Sequence, residues 1–242
     1  MNHASSNIRL PDFIGIGAMR SGTSWLTKQL NRHPEIWTSS PKELHFFDRH
    51  FIDSQDDYAR HFSGAPESMI AGEVTPAYAI LESGRISVAR SWMPDLKLLF
   101  IMRDPVERAW SHARKDFPQF HNKPVEEAKI DELHEFMKLP QVAMRGDYLG
   151  CLKTWLEYYN SSQLWCGFLE QAATDPEALL RELFIFLGVN PDKGIHPQLA
   201  AQPENTRPPS PIPEALRAYL SEQLYAQNSG LESLLGRPLP WN

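Results

Sequence analysis

The segment Lys97-Leu98-Leu99-Phe100-Ile101-Met102 is apolar at every position after its lysine, then breaks at once into Arg103-Asp104-Pro105. A strand with one wet face alternates apolar and polar side chains. A run without alternation has both faces covered, as in a parallel strand between two helical layers. Asp104 before Pro105 then reads as a helix start, with a capping carboxylate and a proline at the first helical position. The same grammar occurs near the amino end. Phe13-Ile14-Gly15-Ile16-Gly17 is a second buried run, and Leu26 and Leu30, four apart, put Ser24 to Arg32 on a helix. Further extended segments are expected at 34–37, 69–74 and 164–169, and helices at 176–187, closed by Gly188, and 214–226. Strands alternating with helices predict an α/β fold of three layers, a mostly parallel central sheet flanked by helices.

A chain of 242 residues, 42% apolar and 22% charged, has the size and composition of one globular domain over 1–242. Its net charge of −6 argues against nucleic acid as a partner, while leaving room for a local basic pocket. Cys151 and Cys166 are too few and too far apart for a disulfide framework or a zinc site, and no histidine shows metal-ligand spacing, so no metal is implied. The polar start and the lack of a long apolar stretch predict no membrane span and a cytoplasmic protein. Two segments depart from the alternating pattern. Residues 117–140 are polar and are expected to form a lid or insertion. Residues 202–213, with five prolines, form a long loop of the kind that is often functional.

Chemistry gathers at the two strand-to-helix junctions. Gly17-Ala18-Met19-Arg20-Ser21-Gly22-Thr23-Ser24 joins the first strand to the first helix. Such a turn aims backbone N–H groups and the helix dipole inward, which favours an anion, and Ser21, Thr23 and Ser24 add hydroxyls. The Gly17–Gly22 spacing starts like a Walker A loop, yet Thr23 stands where its lysine belongs and the cation has moved to Arg20. That departure speaks against ATP chemistry. At the second junction Arg103 ends a strand, where open α/β sheets bind ligands, and Ser111 lies two helical turns on. A guanidinium there suits phosphate, although an Asp-Pro cap with solvated arginines has the same sequence. Between the junctions, Pro41-Lys42-Glu43-Leu44-His45-Phe46-Phe47-Asp48 brings a cation, a carboxylate and an imidazole together. In an extended segment Glu43 and His45 would point the same way.

Together these motifs resemble the sulfotransferases that use 3′-phosphoadenosine 5′-phosphosulfate (PAPS), a family with a P-loop-NTPase-like fold. Arg20-Ser21-Gly22-Thr23-Ser24-Trp25 is similar to the family's Lys-x-Gly-Thr-Thr-Trp loop for the 5′-phosphosulfate. The resemblance implies that Arg20 neutralises the leaving oxygen and that Trp25 stacks on adenine. Arg103-Asp104-Pro105, with Arg108 and Ser111, resembles the 3′-phosphate motif, which gives Arg103 and Ser111 that role. Lys42-Glu43-Leu44-His45-Phe46-Phe47 resembles an element of the heparan-type and related carbohydrate sulfotransferases. There the glutamate is the base, so Glu43 is expected to take the acceptor's proton, with His45 and Lys42 assisting. Gly72-Glu73-Val74-Thr75-Pro76 resembles Glu-Lys-Thr-Pro with Val74 in place of lysine, which weighs against a heparan-like acceptor. Gly146, Tyr148, Leu152 and Trp155 match a packing helix of the family, and Arg207 falls in its cofactor-closing loop. The resemblance implies sulfonyl transfer from PAPS to a hydroxyl or amine of a glycan, lipid or small molecule, releasing 3′-phosphoadenosine 5′-phosphate (PAP). A P-loop kinase or NTPase and a catalytically silent PAPS-binding protein are the alternatives.

Overall fold

The computed structural model describes residues 9–49, 54–200, 202 and 210–241. Among these, the strands β1 (Phe13–Gly17), β2 (Ile36–Thr38), β3 (Ile70–Val74), β4 (Lys97–Met102) and β5 (Leu164–Phe168) form one sheet in the order β2-β3-β1-β4-β5. Every pairing is parallel, with Phe13 opposite both Gly72 and Lys97.

The unbroken apolar runs are explained by what covers them. Alternate side chains of a strand face opposite sides. Leu98, Phe100 and Met102 of β4 join Ile14 and Ile16 in one core cluster, whereas Leu99 and Ile101 join Phe13 in another. On the first face lie α2 (Ser83–Trp92), through Ile86 and Ala89, and α5 (Tyr148–Leu156), through Tyr148 and Leu152. On the second lie α1 (Thr23–Arg32), through Leu26 and Leu30, and α6 (Pro176–Leu187), through Leu179 and Leu183. Each buried Leu, Ile or Phe contributes about 1.5–3 kcal/mol of transfer free energy, so a charge on either face of β4 breaks the layer stack.

A third cluster lies outside the sheet. It joins α3 (Pro105–His121), α4 (Ile130–Lys138) and α7 (Glu214–Gln227) through Val106, Phe117, Leu133, Phe136, Leu216 and Leu220. The polar 117–140 segment is therefore helical over much of its length and packed. Its buried Leu133, Phe136 and Met137 sit on one side of α4, and the charged residues that dominate the composition lie on the other sides.

The chain leaves β1 toward β2 and β3 on one side and later fills β4 and β5 on the other. The carboxyl ends of β1 and β4 thus meet at a reversal of strand order, where α/β sheets open a crevice. The turn after β1 is tied to β4 by Ala18 N–H donating to the Ile101 carbonyl at 2.7 Å.

Candidate active site

The turn after β1 has a backbone that few residues tolerate. Gly22 sits at φ 92° as the N-cap of α1, and a Cβ there would lie 2.6 Å from Leu169 Cδ1, so only glycine fits. Arg20, at φ 70°, is also left-handed. The first turn of α1 carries no acidic residue and no side-chain cap, which leaves its N–H groups facing the turn. Ser21 is fully buried, with its side chain against the Tyr148 hydroxyl. Thr23 is buried and Ser24 half-buried. Donors without protein acceptors fit a phosphate group.

The second junction is joined to the first. Arg20 Nε donates to Ser111 Oγ at 3.1 Å, across 91 residues of sequence. Tyr148 lies beside Ser21 and donates its hydroxyl to the Arg103 carbonyl at 2.8 Å, so one buried ring braces both turns. Burial pushes the Tyr148 pKa up to about 12, keeping it a neutral donor. The Arg103 guanidinium pairs with Glu107 at 3.3 Å, and Glu107 pairs with Arg217 of α7 at 2.8 Å. Asp104 caps α3 by accepting from Glu107 N–H at 2.8 Å, and the Tyr225 hydroxyl of α7 donates to it at 2.7 Å. Behind them Arg108 is 1% exposed, with Nε and Nη1 unpartnered. Burial lowers its pKa, and the nearby Arg145 and Arg103 act in the same direction. Trp25 is packed in the core at 4% exposure and donates its indole N–H to the Ala200 carbonyl at 2.8 Å. Arg207 lies outside the described residues.

The segment after β2 holds the acid-base groups. Glu43 Oε2 lies 3.2 Å from His45 Nε2, Lys42 Nζ lies 3.6 Å from Glu43 Oε1, and His45 Nδ1 lies 2.9 Å from Asp48 Oδ2. Glu43 and His45 do not meet through an extended pleat, as the alternation predicts. His45 stands at φ 55°, and a turn there brings the imidazole back to the carboxylate. Asp48 and Glu43 thus flank the two ring nitrogens of His45, Asp48 within hydrogen-bond distance and Glu43 in ion-pair range. Burial pushes the Lys42 ammonium below its ordinary range while Glu43 pulls the other way, and Lys115 of α3 adds to the lowering. Lys115 follows Ser111 by one helical turn, roughly 6 Å, so α3 lies against both the Gly17–Ser24 turn and the Lys42–Asp48 segment.

Sequence reasoning missed two groups. Asp48 follows His45 at a helical spacing of three, a signal for a side-chain partner. Glu73 is a charge inside an otherwise apolar strand and is 1% exposed. It accepts from Tyr58 Oη at 2.7 Å, Thr75 Oγ1 at 2.6 Å and Tyr78 Oη at 3.1 Å. Burial raises its pKa from 4.5 to about 7 against the pull of those three donors, with Asp48 adding to the rise. The folded chain therefore binds more protons here than the unfolded chain between these values. The resulting stability is full below pH 4.5 and is lost as pH rises through 7. In urea titrations from pH 5 to 8, the chain is expected to lose up to ~3 kcal/mol relative to Glu73→Gln. Parallel pH profiles of the two proteins would contradict this.

A sequence model of the sulfotransferase domain matches residues 10–202, from the strand before the first turn through both junctions. The chain belongs to the sulfotransferase family. This sulfotransferase is 28% identical over 187 residues to heparan sulfate glucosamine 3-O-sulfotransferase 3A1 of Mus musculus, covering 75% of this chain and 46% of that protein. It is 32% identical over 143 residues to the membrane-associated sulfotransferase kil1 of Dictyostelium discoideum, covering 57% of this chain and 30% of that protein. The chain thus spans less than half the length of these relatives. Among solved structures, a sulfotransferase from Alicyclobacillus acidocaldarius matches at TM-score 0.77 and 26% identity, covering 96% of this chain and 98% of that one. Mouse sulfotransferase SULT7A1, solved complexed with PAP, shares the fold at TM-score 0.51 and 19% identity, covering 90% of this chain and 65% of that one. In this sulfotransferase Val74 is buried and packs against Gly15.

Proposed function

We propose that this domain transfers a sulfonyl group from PAPS to a hydroxyl or amine of a glycan, lipid or small-molecule acceptor, with Glu43 as the base. The observation that carries the reading is the Arg20–Ser111 hydrogen bond. It sets the two phosphate-binding turns side by side, as one nucleotide phosphorylated at both ends requires. The open N–H groups of α1 and the hydroxyls of Thr23 and Ser24 suit the 5′ end, and Arg103 with Ser111 suits the 3′-phosphate. PAPS supplies the activated sulfonyl group. Glu43, or Nε2 of His45 through it, accepts the proton as the acceptor oxygen bonds to sulfur and the bond to the 5′-phosphate oxygen breaks. Arg20 and the N-terminus of α1 offset the charge that develops on that oxygen. Lys42 adds positive charge beside the transferring group.

The Walker lysine position is filled by Thr23, which leaves a triphosphate without its usual cation. Calorimetry is therefore expected to show saturable binding of PAP and none of ATP with magnesium. Binding of ATP with magnesium and not of PAP would overturn the proposal in favour of a kinase or NTPase. PAP binding with no label transferred from PAPS to any of a panel of glycans, lipids and small alcohols would point to a silent binding protein.

A further inference from the structure

We infer that Glu73 is a positioning residue for the base: through Thr75 and Tyr78 it holds the backbone on both sides of His45 and so sets the Glu43–His45 contact. The inference rests on the role proposed above for Glu43 and His45, and it begins from hydrogen-bond direction. Leu44 N–H donates to Thr75 Oγ1 at 3.1 Å, and Phe46 N–H donates to Tyr78 Oη at 2.8 Å. A backbone amide can only donate. Each hydroxyl therefore accepts from above and spends its own hydrogen below, and both hydrogens go to Glu73. Thr75 reaches Oε2 and Tyr78 reaches Oε1, so one side chain closes both anchors.

The two anchored amides bracket His45, whose left-handed backbone is unfavourable for a residue with a Cβ. Such a conformation persists when the surroundings over-determine it. Here the anchors are short, buried and traceable to one side chain. Arg85 Nη1 adds a bond to the Phe47 carbonyl at 2.6 Å, on the far side of the same segment. The third donor to Glu73 gives an internal control. Tyr58 bonds the carboxylate at 2.7 Å and packs its ring on Phe46 and Phe47, with centroids 4.7 and 4.9 Å away, but its hydroxyl bonds no amide of the base segment in the structure.

Tyr58→Phe and Tyr78→Phe each remove one hydroxyl from Glu73 and keep the ring, so a purely structural carboxylate treats them alike. The test is the ¹⁵N spectrum of the His45 ring, recorded without ligand and with PAP. Tyr78→Phe is expected to move and broaden the His45 signals, and Tyr58→Phe to leave them in place. With an acceptor that supports turnover, Tyr78→Phe should lower kcat roughly tenfold with KM for PAPS unmoved, as for one lost buried hydrogen bond. Thr75→Val, which cuts the other anchor, should give the same signature and covers the case in which Tyr78→Phe fails to fold. His45 signals unmoved by both anchor variants, or moved equally by Tyr58→Phe, would overturn the inference. The ligand-free spectra decide it without nucleotide, so failure of the unaltered protein to bind PAP would sink the proposed function alone.

Discussion

Glu43→Gln is expected to lower the rate of sulfonyl transfer by about 10²–10⁴-fold, the usual worth of a positioned base, with PAP affinity unchanged. The amide has the size of the carboxylate, so its oxygen can keep the place 3.2 Å from His45 Nε2. What is lost is the capacity to take a proton. Lys42, 3.6 Å from Glu43, then faces a neutral neighbour and loses the attraction that opposes its desolvation. Transfer of label from radiolabelled PAPS across a panel of acceptors reads the rate, and calorimetry with PAP reads the pocket. Near-normal turnover would remove Glu43 as the base and leave Nε2 of His45 to take the proton, with Asp48 holding its other nitrogen at 2.9 Å.

The parts that could be read from the chain in advance were those with local causes. β4 was visible because two covered faces leave no polar position between Leu98 and Met102, and the start of α3 because Asp104 and Pro105 each do a local job there. The turn of Gly17–Ser24 was legible because a left-handed Gly22 and a cluster of hydroxyls leave a compositional mark. What was hidden depends on distant partners. The polar composition of 117–140 conceals Leu133 and Phe136, whose burial becomes evident only when α7 is laid over α4. The turn at His45 was missed because alternation alone favoured an extended segment, while the anchors that bend it, Thr75 and Tyr78, lie some thirty residues on. Trp25 shows the same limit. Its sequence position resembles an adenine platform, and the structure adds a buried bond to the Ala200 carbonyl that no local pattern encodes.

The contact between Arg20 and Ser111 yields the second large effect. Arg20→Ala is expected to cost about 10²–10³-fold in kcat, because it removes charge from the position where the leaving oxygen gains it. Arg20→Lys separates charge from geometry. An ammonium restores much of the electrostatic stabilisation, but it is a compact point charge without the planar fork that reaches Ser111 Oγ at 3.1 Å through Nε. The lysine variant should therefore regain most of the rate lost in Arg20→Ala while its affinity for PAP becomes less sensitive to Ser111→Ala. In a double-mutant cycle on PAP binding, Arg20→Lys and Ser111→Ala should be non-additive by about 0.5–3 kcal/mol, the range for residues in direct contact. Additive effects would mean that the two turns hold the nucleotide independently. The hydrogen bond would then be a feature of the ligand-free chain, replaced by separate phosphate contacts once PAP enters, and Arg20 would act on the 5′ end alone.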